Sequence, residues 1–318
     1  MQYQLIIHWV GRNLLTDVFL DNLKRRLFVF NVRVIPRLDI KGPSLVKGIH
    51  LEGLRVLGKP EDFARYYYEN GADELIYIDV VASLYGRDSL LEIVRKTSQE
   101  IYIPLTVGGG LRTIEDIQKV LKAGADKIAL NTAVVHNPSL LEKVSKKFGS
   151  STIVVSIAAK QNEEGVYKVF TDNGREKTEI NVIEWAKQSE ELGAGEILLT
   201  SIDREGTGLG YDLDLIKKVA KSVSIPVIAC GGAGKIEHIY EAIEKGCADA
   251  ICLASLLHYS FVEIHNQEQN YLIQGNIEFL KNIRTFSRVE KATIPEIKTF
   301  LRGHGIACRP WEETLNVF

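Results

Sequence analysis

The sequence has no long apolar run, little cysteine and no surplus of charge, and each shortage removes a class of protein. No apolar stretch among the 318 residues approaches the roughly twenty needed to cross a bilayer. The start, MQYQLIIHWVGRNLLTDVF, lacks the basic flank and pure apolar core of a secretion signal. Lysine plus arginine number 39 against 41 aspartate plus glutamate, a net charge of −2, so no general basic surface calls for nucleic acid or an anionic membrane. The four cysteines, Cys230, Cys247, Cys252 and Cys308, have neither CxxC spacing nor a histidine pair beside them. That argues for reduced, buried thiols in a cytoplasmic protein over disulfides or zinc. Neither a cofactor nor a metal is expected.

What is there is an ordinary globular composition, 45% hydrophobic and 25% charged, with a regular alternation. Strand-like runs fall near 33–40, 73–80, 102–107, 126–131, 152–158, 195–202, 225–230 and 249–255. Amphipathic stretches such as PEDFARYYYENG, TIEDIQKVLKAG and KIEHIYEAIEKG lie between them, several closed by the glycine that helix C-termini favour. Eight such units predict a parallel sheet closed into a (β/α)8 TIM barrel. An open doubly wound sheet is the alternative, but it seldom needs eight evenly spaced units.

The chain also repeats itself. LTVGGGLRTIEDI (105–117) and VIACGGAGKIEHI (227–239) each write strand, glycine cluster, polar turn and helix start, with Gly109 and Gly232 123 residues apart. NGADELIYIDVVAS (70–83) likewise echoes LGAGEILLTSIDRE (192–205), with Glu74 and Glu196 separated by 122 residues. The barrel is therefore expected to be two half-barrels of four strands. A glycine cluster opening a helix lets backbone N–H groups converge on an anion, and the helix N-terminus favours negative charge. Such glycines also simply make tight turns. The matched copies, each followed one strand later by small polar residues (Asn131-Thr132 and Ala254-Ser255), favour phosphate binding at opposite sides of the barrel mouth. The predicted sites are Gly110, Asn131 and Thr132, and Gly206, Gly232, Ala254 and Ser255.

Taken together, RVIPRLDIKGPSLVKG, GADELIYIDVVAS, IPLTVGGGLRT, GADKIALNTAVVHNPSLL, GAGEILLTSIDREGTGLGYD, IPVIACGGAGKIEH and IPEIKTFLRGHGIACR resemble the cyclase subunit (HisF family) of imidazole glycerol phosphate synthase. The resemblance spans roughly 33–258 and 294–309. It implies a lyase of histidine biosynthesis. Ammonia from a glutaminase subunit of the HisH type, docked at the bottom face, would split and cyclise a bis-phosphorylated ribotide. The products would be imidazole glycerol phosphate and an aminoimidazole carboxamide ribotide. Of the family's two catalytic aspartates, the resemblance places one at Asp39. Read from the residue alone, Asp39 is a proton-transfer group at a strand end or a solvated turn carboxylate. The second family position is Ala158, which cannot carry a proton. Loss of an acid–base partner typically costs about 10²–10⁴-fold in rate, so Ala158→Asp is expected to recover part of it, and Asp79, Asp203 or Glu205 are candidate substitutes.

Lys47 matches a family lysine that helps close the site, Thr200 matches a pocket residue, and Glu205 replaces an aspartate. Arg33, Glu74, Lys127 and Glu196 match a charged ring at the N-terminal strand ends that gates ammonia, read here as one residue per alternate strand. Two segments depart from the family: an extension at 1–32 and an insertion at about 259–292 within the domain formed by 33–318. Ala158 and the insertion leave two other readings open. One is a paralogue that aminates another phosphorylated or nucleotide-linked substrate, as in acetamidino-sugar formation for surface polysaccharides. The other is a catalytically weak scaffold for a glutaminase.

Overall fold

The computed structural model describes residues 31–81, 88–265 and 288–311. Most of the expected extension at 1–32 and the central part of the 259–292 insertion lie outside the described residues. Its first strand, β1 (Arg33–Lys41), is followed by a hairpin, β2 (Ser44–Ile49) and β3 (Glu52–Gly58), and by α1 (Pro60–Glu69). Then come β4 (Leu75–Asp79), α2 (Asp88–Glu100), β5 (Leu105–Gly108), α3 (Ile114–Lys122), β6 (Lys127–Leu130), α4 (Thr132–His136) and α5 (Pro138–Phe148). The second half runs β7 (Ile153–Gln161), a hairpin of β8 (Tyr167–Thr171) and β9 (Glu176–Asn181), and α6 (Val182–Glu191). It continues through β10 (Glu196–Ser201), α7 (Leu213–Ala220), β11 (Val227–Cys230), α8 (Ile236–Glu244), β12 (Ala250–Leu253), α9 (Ser255–His265) and α10 (Ile294–Gly303).

Eight of these strands, β1, β4, β5, β6, β7, β10, β11 and β12, pair in parallel in that order, and β12 returns to pair with β1. The barrel is closed, as the alternation required. Barrel strands are buried on both faces and so read as near-continuous apolar runs; β11, VIAC, and β12, AICL, are buried throughout. The two hairpins, each antiparallel to the strand it follows, rise from the C-terminal ends of β1 and β7. The first occupies the stretch between the first expected strand, near 33–40, and the helical PEDFARYYYENG, where the sequence reading placed no strand. The expected insertion begins inside α9, whose Tyr259–His265 stretch continues the helix after the eighth barrel strand.

Side chains two apart on a strand share a face, so the interior can be read in layers. On β1, Arg33, Ile35, Arg37 and Asp39 point inward in sequence. Ile35 joins Ile76, Ala129, Val154, Leu198, Ile228 and Ala250 in an apolar layer inside the barrel. Charged residues lie below this layer, and both polar and charged ones above it. Among the described residues no helix is long and apolar enough to cross a membrane.

Candidate active site

The repeated glycine turns lie where the duplication put them, after β5 and β11. Gly109 and Gly110 have φ of +100° and +63°, and Gly231 and Gly232 have +93° and +108°, backbone that side chains rarely adopt. Close approach also demands glycine here. A Cβ at Gly109 would overlap the Asp79 backbone, and one at Gly232 the Gly210 carbonyl. After the first turn, Thr113 caps α3: its side chain accepts from Asp116 N–H while the Asp116 carboxylate accepts from Thr113 N–H.

A cavity of about 130 Å³ opens at this first turn, and Gly110, Asn131 and Thr132 line it together with Thr200, Ala158 and Arg37. The second predicted set is arranged differently. Gly206 lines a separate recess with Ile49, His50 and Arg288, and Gly232 and Ser255 line neither space. The first hairpin lies over this side: His50 N–H donates to the Glu205 carbonyl at 2.9 Å, and its Nδ1 is 2.7 Å from the Ile202 carbonyl. Ala254 ends the β12 turn, from which Ser255 starts α9.

Asp39 is 3% exposed, and its Oδ1 accepts from Arg37 Nε at 2.8 Å. Arg37 also sends Nη1 to Thr200 Oγ1 at 3.3 Å and to Cys230 Sγ at 3.6 Å. Because Thr200 is on β10 and Cys230 on β11, the arginine spans the lumen just above the apolar layer. Arg37, and not Asp39, is the group that lines the cavity. Burial is the largest single influence and opposes its charge, but attraction to Asp39, Cys230, Glu205 and Cys252 together outweighs it and holds the guanidinium pKa well above its ordinary value. Sequence reading passed over Arg37. The signal was the period of two from Arg33 through Ile35 to Asp39, which places residue 37 inside.

Lys47 on β2 is ion-paired with Glu205 after β10, both buried. Burial works against both charges. Even so, attraction to Glu205 and Asp39 raises the Lys47 pKa, and Lys47 and Arg37 lower that of Glu205. Asp39, Arg37, Lys47 and Glu205 thus form a balanced set of four charges that ties the first hairpin to the mouth. Beneath them His258 on α9 is fully buried. A carbonyl can only accept, so Nε2 carries the proton and donates to Arg37 O at 2.9 Å, leaving Nδ1 to accept the Tyr67 hydroxyl at 2.7 Å. Burial pushes its pKa down to about 3.

Ala158 is buried against Leu51 and Ile202, with Phe170 packed beside them. Its strand partner at the same level is Thr200. Of the three candidate substitutes for a carboxylate here, Asp79 lines the same cavity. Asp203 lines the other recess, where its Oδ2 accepts from Gln161 N–H at 2.9 Å, and Glu205 is committed to Lys47.

At the bottom of the barrel the four predicted charges meet in a closed ring. Arg33 Nη1 lies 2.6 Å from Glu74 and 3.1 Å from Glu196; Lys127 Nζ lies 3.1 Å from Glu74 and 2.9 Å from Glu196. The residues do not come from alternate strands as the sequence suggested. They sit at the starts of the first, second, fourth and sixth barrel strands, and the long side chains reach across the lumen to close the ring.

A closed barrel of two half-repeats, with a charged ring at one end of its lumen and a polar, partly charged mouth at the other, defines a (β/α)8 enzyme, whose chemistry is carried at the C-terminal strand ends. The profile of the histidine biosynthesis protein family matches residues 33–263, and the chain belongs to that family. Imidazole glycerol phosphate synthase subunit HisF of Legionella pneumophila is 58% identical over 207 residues, covering 65% of this chain and 98% of the relative. The subunit of the same name from Pyrobaculum aerophilum is 49% identical over 249 residues, 78% of this chain and 97% of the relative. That from Alkaliphilus metalliredigens is 45% identical over 238 residues, 75% and 94%.

Proposed function

We propose that this chain is the cyclase subunit of an imidazole glycerol phosphate synthase. It uses ammonia from a HisH-type glutaminase to convert a bis-phosphorylated ribotide into imidazole glycerol phosphate and an aminoimidazole carboxamide ribotide, in the cytoplasm. The relatives named above are all called imidazole glycerol phosphate synthase subunit HisF, so neither the paralogue nor the scaffold reading is favoured. The observation that supports the mechanism is the placing of the Arg33–Glu74–Lys127–Glu196 ring and the Arg37–Asp39 pair at opposite ends of the barrel interior, with one apolar layer between them. Ammonia would enter through the ring at the glutaminase-facing end, pass the apolar layer as a neutral molecule and emerge beside Arg37 and Asp39. Asp39 keeps one carboxylate oxygen on Arg37 and offers the other as the base. Lys47 and Glu205 hold the first hairpin over the mouth, and the two glycine turns take the phosphate ends. With Ala158 carrying no proton, Asp79, which lines the same cavity, is the candidate for the acid.

Steady-state turnover of the ribotide with ammonium salt, and with glutamine plus a HisH-type glutaminase, tests this reading. Product formation that disappears in Asp39→Asn is expected. Absence of product from a folded wild type under both nitrogen sources would remove the assignment.

A further inference from the structure

The hairpin tip between β8 and β9 leans over the first glycine turn, and its fastening is unusual. Asn131, at the end of β6, donates its amide Nδ2 to the Phe170 carbonyl at 3.2 Å. Thr132 Oγ1 accepts Asp172 N–H at 3.0 Å. The two side chains that sequence reasoning assigned to the ligand are thus spent, in part, on bolting the hairpin down. The tip they hold, Asp172-Asn173-Gly174, has three successive residues with positive φ, of 48°, 57° and 82°. Such backbone is uncommon outside glycine and asparagine, and here it turns Asn173 and Arg175 to the cavity shared with Gly110.

Two kinds of unmet hydrogen-bonding capacity face that cavity. Asn173 Nδ2 is a buried donor with no partner among the described residues, which costs free energy unless something else fills the role. Arg112, from the loop after β5, and Arg175 also line the cavity. Among the described residues neither guanidinium has an ion pair or a hydrogen bond. Asn131 Oδ1 is a buried acceptor without a partner among the described residues; the bond from Nδ2 to Phe170 O fixes which end of the amide is which.

We propose that the β8–β9 hairpin tip is a side-chain clamp for a phosphate ester at the first glycine turn. Asn173 Nδ2, Arg175 and Arg112 take the phosphate oxygens, and Asn131 Oδ1 accepts a hydroxyl of the same ligand. Asn131 and Thr132 are positioning residues for the clamp, and the Thr132 hydroxyl keeps its own proton to donate. The inference rests on the reading that this mouth takes a phosphorylated acceptor. It adds which side chains hold one phosphate, and that this end of the ligand is hydroxylated. Donors from two separate loops, the hairpin tip and the loop after β5, suit a dianion, because charge-assisted hydrogen bonds are the strong ones and arginine presents them as a fork.

The test uses inorganic phosphate in solution and selenate in crystals, with the full chain. Wild-type crystals soaked in selenate are expected to show anomalous density at the first turn within hydrogen-bond reach of Asn173 Nδ2 and at least one of the two arginines. Arg175→Gln and Asn173→Gly, the latter chosen because glycine accepts the positive φ, should each weaken phosphate binding at this site by about tenfold or more. Any anion at the Gly206 side should stay in place. Unchanged phosphate affinity in both variants, or a wild type with no anion at the first turn, overturns the clamp. Ribotide turnover is measured separately. A clamp that binds phosphate in a protein without turnover would sink the cyclase reading and leave the clamp standing.

Discussion

Protonating His258 should destabilise this protein as the pH falls below neutrality. The imidazole is fully buried, with Nε2 bonded to the Arg37 carbonyl and Nδ1 to the Tyr67 hydroxyl. Its folded pKa is about 3 against an ordinary 6.5. The folded state therefore holds it neutral while the unfolded chain takes up a proton below 6.5. The unfolded state binds more protons, so stability falls as pH drops through 6.5 and continues to fall towards 3. Each pH unit is worth about 1.4 kcal/mol, so at pH 5 the loss relative to neutral pH is about 2 kcal/mol. Carboxylates whose folded pKa is lowered, such as Glu205, add losses of the same sign only below their ordinary range near 4.5. His258→Gln keeps a donor for the Arg37 carbonyl and has no such titration. Urea unfolding of both proteins at pH 7, 6 and 5 is the assay. The variant starts less stable, and the gap should narrow by about 2 kcal/mol at pH 5. Curves that fall in parallel would refute the assignment of a buried neutral histidine.

Glu205→Gln should cost about 3–5 kcal/mol, because it leaves the Lys47 ammonium buried without its partner; thermal unfolding reads the loss, and limited proteolysis within 44–58 reports the loosened hairpin. Lys127→Met breaks two edges of the half-buried ring and should lower glutamine-dependent turnover while sparing turnover with ammonium salt; an equal loss in both would argue against a gate. For Ala158→Asp the structure sets a bound. Arg37 lines the same cavity and would hold the new carboxylate ionised, so the gain in ammonium-dependent turnover should stay below the roughly 10²-fold that a general acid supplies. A larger gain would show that Arg37 does not reach it.

The barrel was legible because its strands are unbroken apolar runs and its half-repeat fixes their spacing. The charged ring was legible through the family resemblance, whose four matching residues each stand just before or at the start of such a run. What the sequence hid was lateral. It shows which residues begin strands, but the partners across the lumen depend on strand order around the barrel, and the ring was therefore assigned to alternate strands. The first hairpin was hidden because SLVKGI and EGLRVLG are short and polar enough to read as loop. The balanced set of four charges at the mouth was missed for a related reason. Glu205 was read as the replacement of a family aspartate and a candidate proton carrier, and its burial against Lys47 follows only once the hairpin folds back. Arg37 was masked by its neighbours: in PRLDIKG an arginine beside proline looks like a surface residue, and only the inward period of β1 contradicts that.

The central claim is that the chain performs the cyclase step of histidine biosynthesis. Complementation of a histidine auxotroph that lacks its cyclase subunit but retains its glutaminase tests it most directly. Growth without histidine when wild type is expressed, and none with Asp39→Asn, is the predicted result. Failure of folded wild-type protein to restore growth would contradict it.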